Sequence, residues 1–377
     1  MERVMNSKER LECALRGEPA DRVGWAPEIN DGVTKINLER VAQGRLKPLS
    51  GIKPEELNEL VYARSNQIVG GDTFLRVTPY KTVRDGVEFG KRDEGAEVVE
   101  WAETPKGRLT ARIRKEPESA TDFRYEWFLK GPADYAVWRD VIERTRFIPD
   151  YDAVAETVRK LDGAGIVTLE TPATPYMDYV MWFMGVEPMM YQIFDHEREL
   201  TELFEVQHAK NLEACRIAAA CPHGLVNRPI EDTSQHLSSP DMFNKYIRRH
   251  MTEYAEIAHS GGKLFIPHMC GHLADMLPIL KDVPIDGIEA VTPPPTGNCP
   301  AKLARQVLGK GRVLVGGLDA TRFALSTPAE FERALSVLLD DMKDDPRFVL
   351  GHEEIQVTAR WENILIVNRL LAKTARA

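Results

Sequence analysis

Residues 224–270 read GLVNRPIEDTSQHLSSPDMFNKYIRRHMTEYAEIAHSGGKLFIPHMC. A short apolar segment opens at Gly224-Leu225-Val226-Asn227 and gives way to Glu231-Asp232. Ser239 then offers a side-chain oxygen to cap a helix whose first position is Pro240, where a missing N–H is harmless. Phe243, Tyr246, Ile247, Met251, Tyr254 and Ile257 follow at three- and four-residue spacing, and Gly261-Gly262 ends the run. That spacing marks one buried helix face. Lys263–Pro267 is the next strand, so the stretch predicts two parallel strands joined by a helical crossover.

The same alternation continues downstream. A helix around Leu273–Leu280 is followed by Ile285–Ala290 and Ala301–Leu308, then Val313–Gly317 and Pro328–Met342, then Phe348–Leu350 and Glu362–Leu371. Five strand–helix units in order predict a parallel sheet. Upstream, Arg22–Glu28 and Gly165–Glu170 read as strands of that sheet. Between them, 98–115 alternates around Pro105-Lys106-Gly107 as a β-hairpin. The 377 residues show no fixed-period repeat, low-complexity tract or linker. The expected architecture is one α/β domain spanning 1–377, a (β/α)8 TIM barrel with an N-terminal elaboration that includes the hairpin.

Composition narrows the function. A net charge of -9 argues against a broad nucleic-acid footprint. The local cluster Arg248-Arg249-His250 falls on the wet face of the predicted helix. The first residues turn charged at once, unlike a signal peptide. The most apolar run, Met177 to Val186, is well short of the ~20 residues a membrane span needs. Cysteines 13, 215, 221, 270 and 299 form no disulfide framework, which suits a reducing cytoplasm.

In such a barrel, chemistry collects where strands end. Those positions here are Glu28–Asp31, Glu170–Thr174, Glu231–Asp232, His268–Cys270, Glu289–Thr292, Asp319 and His352–Glu354. His268 and Cys270 are two apart on an extended chain and therefore share a face. Imidazole and thiolate together suit zinc, and Gly271 lets the chain turn directly after them. A catalytic zinc keeps three protein ligands and one open position. The last strand end offers either His352 or Glu353 as the third.

Two segments carry a family resemblance: Asn6-Ser7-Lys8-Glu9-Arg10 through Leu15-Arg16-Gly17-Glu18-Pro19-Ala20-Asp21-Arg22-Val23, and Leu237-Ser238-Ser239-Pro240-Asp241-Met242-Phe243 with 265–271 after it. The chain resembles the uroporphyrinogen decarboxylase superfamily over nearly its whole length, most clearly at the two ends and at 224–320. The resemblance implies a (β/α)8 barrel and one of two chemistries. One is cofactor-free decarboxylation of porphyrinogens; the other is zinc-dependent methyl transfer to or from corrinoid proteins. The decarboxylases carry an arginine-rich segment where this chain has Pro27-Glu28-Ile29-Asn30-Asp31-Gly32, which is acidic and would repel an anionic tetrapyrrole. The intact His-x-Cys motif points to the methyltransferase branch.

Thiol-directed members of that branch place a second cysteine after the last strand. Aligned on Glu362-Asn363, this chain has Glu353 there. The implied zinc ligands are therefore His268, Cys270 and Glu353, with a corrinoid supplied by a partner protein. A carboxylate in place of a thiolate makes zinc a harder electrophile. That suits an ether oxygen, and so a methoxylated aromatic donor, as in the methyltransferase component of O-demethylase systems. Glu231 and Asp232 are the candidate catalytic residues, orienting His268 or holding substrate, unless they are caps or surface charge. Asn30, Asp31, Glu170 and Thr171 are candidate substrate contacts. The run Tyr176–Phe183 either walls an apolar pocket or packs the core, and His272 is expected to be solvated. Other readings are methyl transfer to a thiol or tetrahydrofolate, metal-free decarboxylation, and a non-catalytic barrel that binds a corrinoid protein. A homodimer is compatible with the sequence.

Overall fold

β-Branched and aliphatic runs bounded by glycine and proline become strands in chain order. These are β1 (Gly24–Ile29), β2 (Phe74–Val77), β3 (Tyr80–Arg84), β4 (Glu88–Asp93), β5 (Glu97–Thr104), β6 (Gly107–Arg114) and β7 (Phe123–Glu126). After them come β8 (Thr145–Pro149), β9 (Ile166–Glu170), β10 (Val226–Arg228), β11 (Leu264–Phe265), β12 (Gly287–Val291), β13 (Val313–Gly316) and β14 (Phe348–Ile355). The computed structural model describes residues 4–29, 39–40, 43–47, 60–116, 122–355 and 358–374; the side chains of Val61, His352, Glu353 and Glu354 lie outside that description.

Eight of the described strands form the (β/α)8 barrel as two four-stranded parallel ladders, β2-β9-β10-β11 and β12-β13-β14-β1. The ladders meet along two seams. At the first, Met269 N–H donates to Glu289 O at 2.9 Å and Glu289 N–H to Pro267 O at 3.1 Å. At the second, Asp72 N–H donates to Trp25 O, and the Asp72 carboxylate accepts from Trp25 N–H at 2.9 Å. Asp72 is also where the opening motif converges. Arg10 donates to it at 2.6 Å and to Asp21 at 2.7 Å, while Ser7 donates its hydroxyl to Asp72. The residues that carried the family resemblance thus fasten the β1–β2 seam.

The barrel interior has two layers. Ala26, Phe74, Ile166, Val226, Ile266, Val313 and Val349 form an apolar lower layer, plugged by Leu11 and Leu15 of the helix Ser7–Arg16. An Asn6/Glu9 capping box starts that helix and Gly17, at φ 73°, ends it. Two residues further along four of these strands, on the same face, stand Glu28, Arg76, Arg228 and His268. A charged layer therefore sits directly above an apolar one.

The elaboration is larger than a hairpin. β5 and β6 pair as expected, but they form the centre of an antiparallel sheet, β4-β5-β6-β7, and β3 pairs with β8. The helix expected at Leu273–Leu280 shrinks to Leu277–Leu280 because Pro278, lacking an N–H, is tolerated only in a first turn. The helix after Ser239 carries a π-helical turn at Phe243–Ile247 before Arg248–Ser260. No helix of the described residues is long and apolar enough to cross a membrane.

Candidate metal centre

The strand bridges at the first seam bring the chemistry together. Ile230 pairs with His268, and His268 pairs with Glu289, all in parallel register. Advancing two residues from Ile230 and His268 reaches Asp232 and Cys270, so these two lie side by side. Among the described residues, Asp232, His268 and Cys270 present one ligand atom each, all within 4.8 Å of one another. Asp232 Oδ1 lies 3.3 Å from His268 Nε2 and 3.2 Å from Cys270 Sγ. Ligands bonded at about 2.0–2.3 Å to a tetrahedral zinc stand roughly 3.3–3.8 Å apart, so imidazole, thiol and carboxylate suit that ion in kind, and the two separations from Asp232 fall at the short end of its spacing.

Partners on the far side fix the imidazole. His268 Nδ1 lies 3.2 Å from Glu289 Oε2, and Glu289 in turn pairs with Arg228. His268, Glu289 and Arg228 are 9%, 3% and 3% exposed, dry enough for these contacts to hold one geometry. With Nδ1 donating to Glu289, Nε2 is the ring nitrogen turned toward Asp232 and Cys270, and it becomes a ligand once the proton it shares with Asp232 is given up. Such a carboxylate–imidazole contact orients a metal-binding histidine. Burial pushes the Asp232 carboxyl up, but hydrogen bonds from His268 and Cys270 outweigh it and hold the group below the usual carboxylate range, ionised and ready to ligate.

Residues 151–370 match the uroporphyrinogen decarboxylase (URO-D) family. The chain belongs to that family. A methyltransferase from Methanosarcina mazei has a similar structure, with a TM-score of 0.58 at 17% identity over 98% of this chain and 99% of that one, which shows a shared fold. A candidate vitamin-B12-independent methionine synthase from Listeria monocytogenes aligns over 94% of this chain and 96% of its own, at 13% identity and a TM-score of 0.43. No curated protein matches the sequence significantly.

Within this URO-D barrel, His268 and Cys270 come together as their spacing predicts. Asp232, expected behind His268 or at the substrate, presents a candidate ligand atom beside theirs. Glu231 turns the other way. It is 1% exposed and accepts from Thr174 N–H at 2.7 Å and Thr174 Oγ1 at 2.6 Å, pinning the loop after β9. Burial pushes its carboxyl up to about 7, against the pull of those bonds and helped by the charge of Asp232. Glu170 ends β9 and accepts from Thr78 at 2.7 Å; Thr171 is buried, its hydroxyl without a hydrogen-bond partner among the described residues. Asn30, Asp31 and the Glu353 side chain lie outside the described residues.

Other expectations change. Tyr176, Met177, Tyr179 and Val180 are core residues, and Trp182 is exposed, so the aromatic run is packing more than pocket wall. His250 is buried at 4%, not on a wet face, and His272 is half-buried with its ring against His236 at 4.0 Å. Arg228 was missed altogether, and Glu289 was noticed only as a strand end. The signal that marks Arg228 is a charged residue two positions beyond an inward-facing valine.

Proposed function

We propose that the protein is a zinc-dependent methyltransferase moving a methyl group from a methoxylated aromatic to the cobalt of a corrinoid carried by a partner protein. The observation that carries this reading is the convergence of Asp232, His268 and Cys270 at the strand ends of a URO-D-family barrel. The methyltransferase from Methanosarcina mazei, which shares the fold end to end, is consistent with it. A zinc ion held by these residues would supply a Lewis acid able to polarise the methoxy oxygen and stabilise the leaving phenolate.

The rest falls to the chain. His268 binds through Nε2 and is kept in register by Glu289 and Arg228. Cys270 binds as thiolate, giving up its proton when metal enters. Asp232 supplies the hard carboxylate, the ligand character attributed to Glu353 by sequence; with Glu353 as a fourth donor or substrate in its place, the set is complete. Hard donors keep zinc electrophilic toward an ether oxygen. Glu231 fixes the Thr174 loop beside the site, and Glu170, Thr171, Asn30 and Asp31 are assigned to the substrate.

The test is metal analysis of protein purified without chelator, followed by mixing with reduced corrinoid protein and methoxyarenes while following Co(I) absorbance. Stoichiometric zinc and donor-dependent Co(I) decay are expected, both lost in the double variant His268→Ala, Cys270→Ala. Full turnover by metal-free protein would overturn the reading.

A further inference from the structure

Outside the barrel, between the helices Ala301–Leu308 and Pro328–Met342, runs an open groove of about 390 Å³. Its inner end abuts Gly317 and Leu318, just past β13. Ala334, Val337 and Leu338 of one helix, with Pro293, Pro300 and Leu318, supply its apolar lining. Val337 is 63% exposed along it. The volume lies within the roughly 300–1,000 Å³ of small-molecule sites.

The charges in the groove are arranged unequally. Lys302 and Asp341 form a 2.6 Å ion pair across it, joining the two helices and satisfying each other. Arg322 and Arg333 also line it, and neither side chain has an ion-pair or hydrogen-bond partner among the described residues. Glu330, one turn before Arg333, commits its carboxylate to capping Thr327 at 2.7 and 2.9 Å. In a chain of net charge -9, two guanidiniums beside an apolar lining, with Glu330 acting on Arg333 only at longer range, are a specific arrangement. Arg333 and Asp341 are two helical turns apart, so the groove runs about 12 Å between its two charged ends.

We propose that this groove binds an organic carboxylate with an extended apolar body, the carboxylate held by Arg322 and Arg333 and the body lying along Ala334, Val337 and Leu338. Guanidinium forks match carboxylates in planar geometry. The apolar wall adds hydrophobic burial that a bare anion cannot use. The Lys302–Asp341 pair closes the far end and offers nothing to a second charge, so a monocarboxylate is favoured over a dicarboxylate. The site is separate from the metal centre and does not depend on the function proposed above.

The test is calorimetric titration of the full chain, stripped of metal, with octanoate. Saturable binding tighter than about 1 mM is expected. Octan-1-ol, which lacks the charge, and inorganic phosphate, which lacks the body, should each bind at least tenfold more weakly. The double variant Arg322→Gln, Arg333→Gln and the groove-filling Ala334→Trp should each lose at least tenfold in octanoate affinity. Should Ala334→Trp fail to fold, Val337→Glu, at an exposed position, tests the same wall by repelling the carboxylate. Unsaturable octanoate binding, equal affinity in the arginine double variant, or phosphate binding as tightly as octanoate would each overturn the proposal.

Discussion

The imidazole of His268 is engaged on both ring nitrogens, by Glu289 at Nδ1 and by Asp232 at Nε2. Its usefulness to a metal depends on the first contact as much as on the second. Glu289→Gln keeps the shape but removes the anionic acceptor, and its amide can present a donor to Nδ1, favouring the wrong tautomer. Zinc affinity should fall by about 10- to 100-fold in that variant, measured by competition with a chromophoric chelator. Unchanged affinity would mean that Glu289 does not orient the ligand. At this scale, His268 and Cys270 were legible because a two-residue step on one strand is visible in one line of sequence. Asp232 was visible only as a strand-end acid, because its place beside Cys270 depends on the register between neighbouring strands, which no local pattern encodes. Arg228 was hidden for a related reason: β10 is three residues long, too short to show alternation.

Among the elements, the helices Glu197–Ala220 and Arg248–Ser260 meet around stacked imidazoles, His208 and His250, with ring centroids 4.0 Å apart. The groups facing the pair are Glu205, Arg249, Glu253 and Tyr254. Burial, then the neighbouring His208 and Arg249, push His250 down to about 4, and burial also lowers His208. Unfolded, a histidine takes its proton near pH 6.5. Between about pH 6.5 and 4 the unfolded state therefore binds more protons, and stability falls as pH falls, by up to about 1.4 kcal/mol per pH unit for one such site. Urea midpoints at pH 7, 6 and 5 should show this decline, and His250→Phe, which keeps a stacking ring without the titration, should flatten it. Parallel curves for the two proteins would refute the assignment. The helices themselves were largely legible: Ala301–Leu308 and Pro328–Met342 have the predicted bounds, because caps and periodicity are local. The buried face bearing His250 was not, because a polar residue's burial is decided by the partner helix.

For the whole molecule, the barrel was legible from its second half, where strand and crossover alternate cleanly. β2 escaped notice because its four residues, Phe74-Leu75-Arg76-Val77, include a charge in the lumen. Closure then rests on two seams, each with a polar fastening. At one, Arg10→Met would leave Asp72, 1% exposed, without its main cationic partner, and should cost about 3–5 kcal/mol in urea unfolding; a loss under about 1 kcal/mol would show that the seam does not depend on this pair. At the other, His268 pairs with Ile230 just past β10 on one side and with Glu289 of β12 on the other, and the proposed ligands Asp232 and Cys270 extend from the same junction. A metal bound there joins the ends of β10 and β11 and reaches the other half-barrel through the His268–Glu289 contact at the seam, so its binding energy becomes folding energy. Zinc at about 100 times its dissociation constant should raise unfolding stability by about 2.7 kcal/mol. The gain should appear locally as slower hydrogen exchange of the Met269 and Glu289 amides, whose bonds span the seam. The same zinc added to the His268→Ala, Cys270→Ala variant should change neither quantity. An equal gain in that variant would place the ion elsewhere, and stabilisation without seam protection would show that the site binds metal without clamping the barrel.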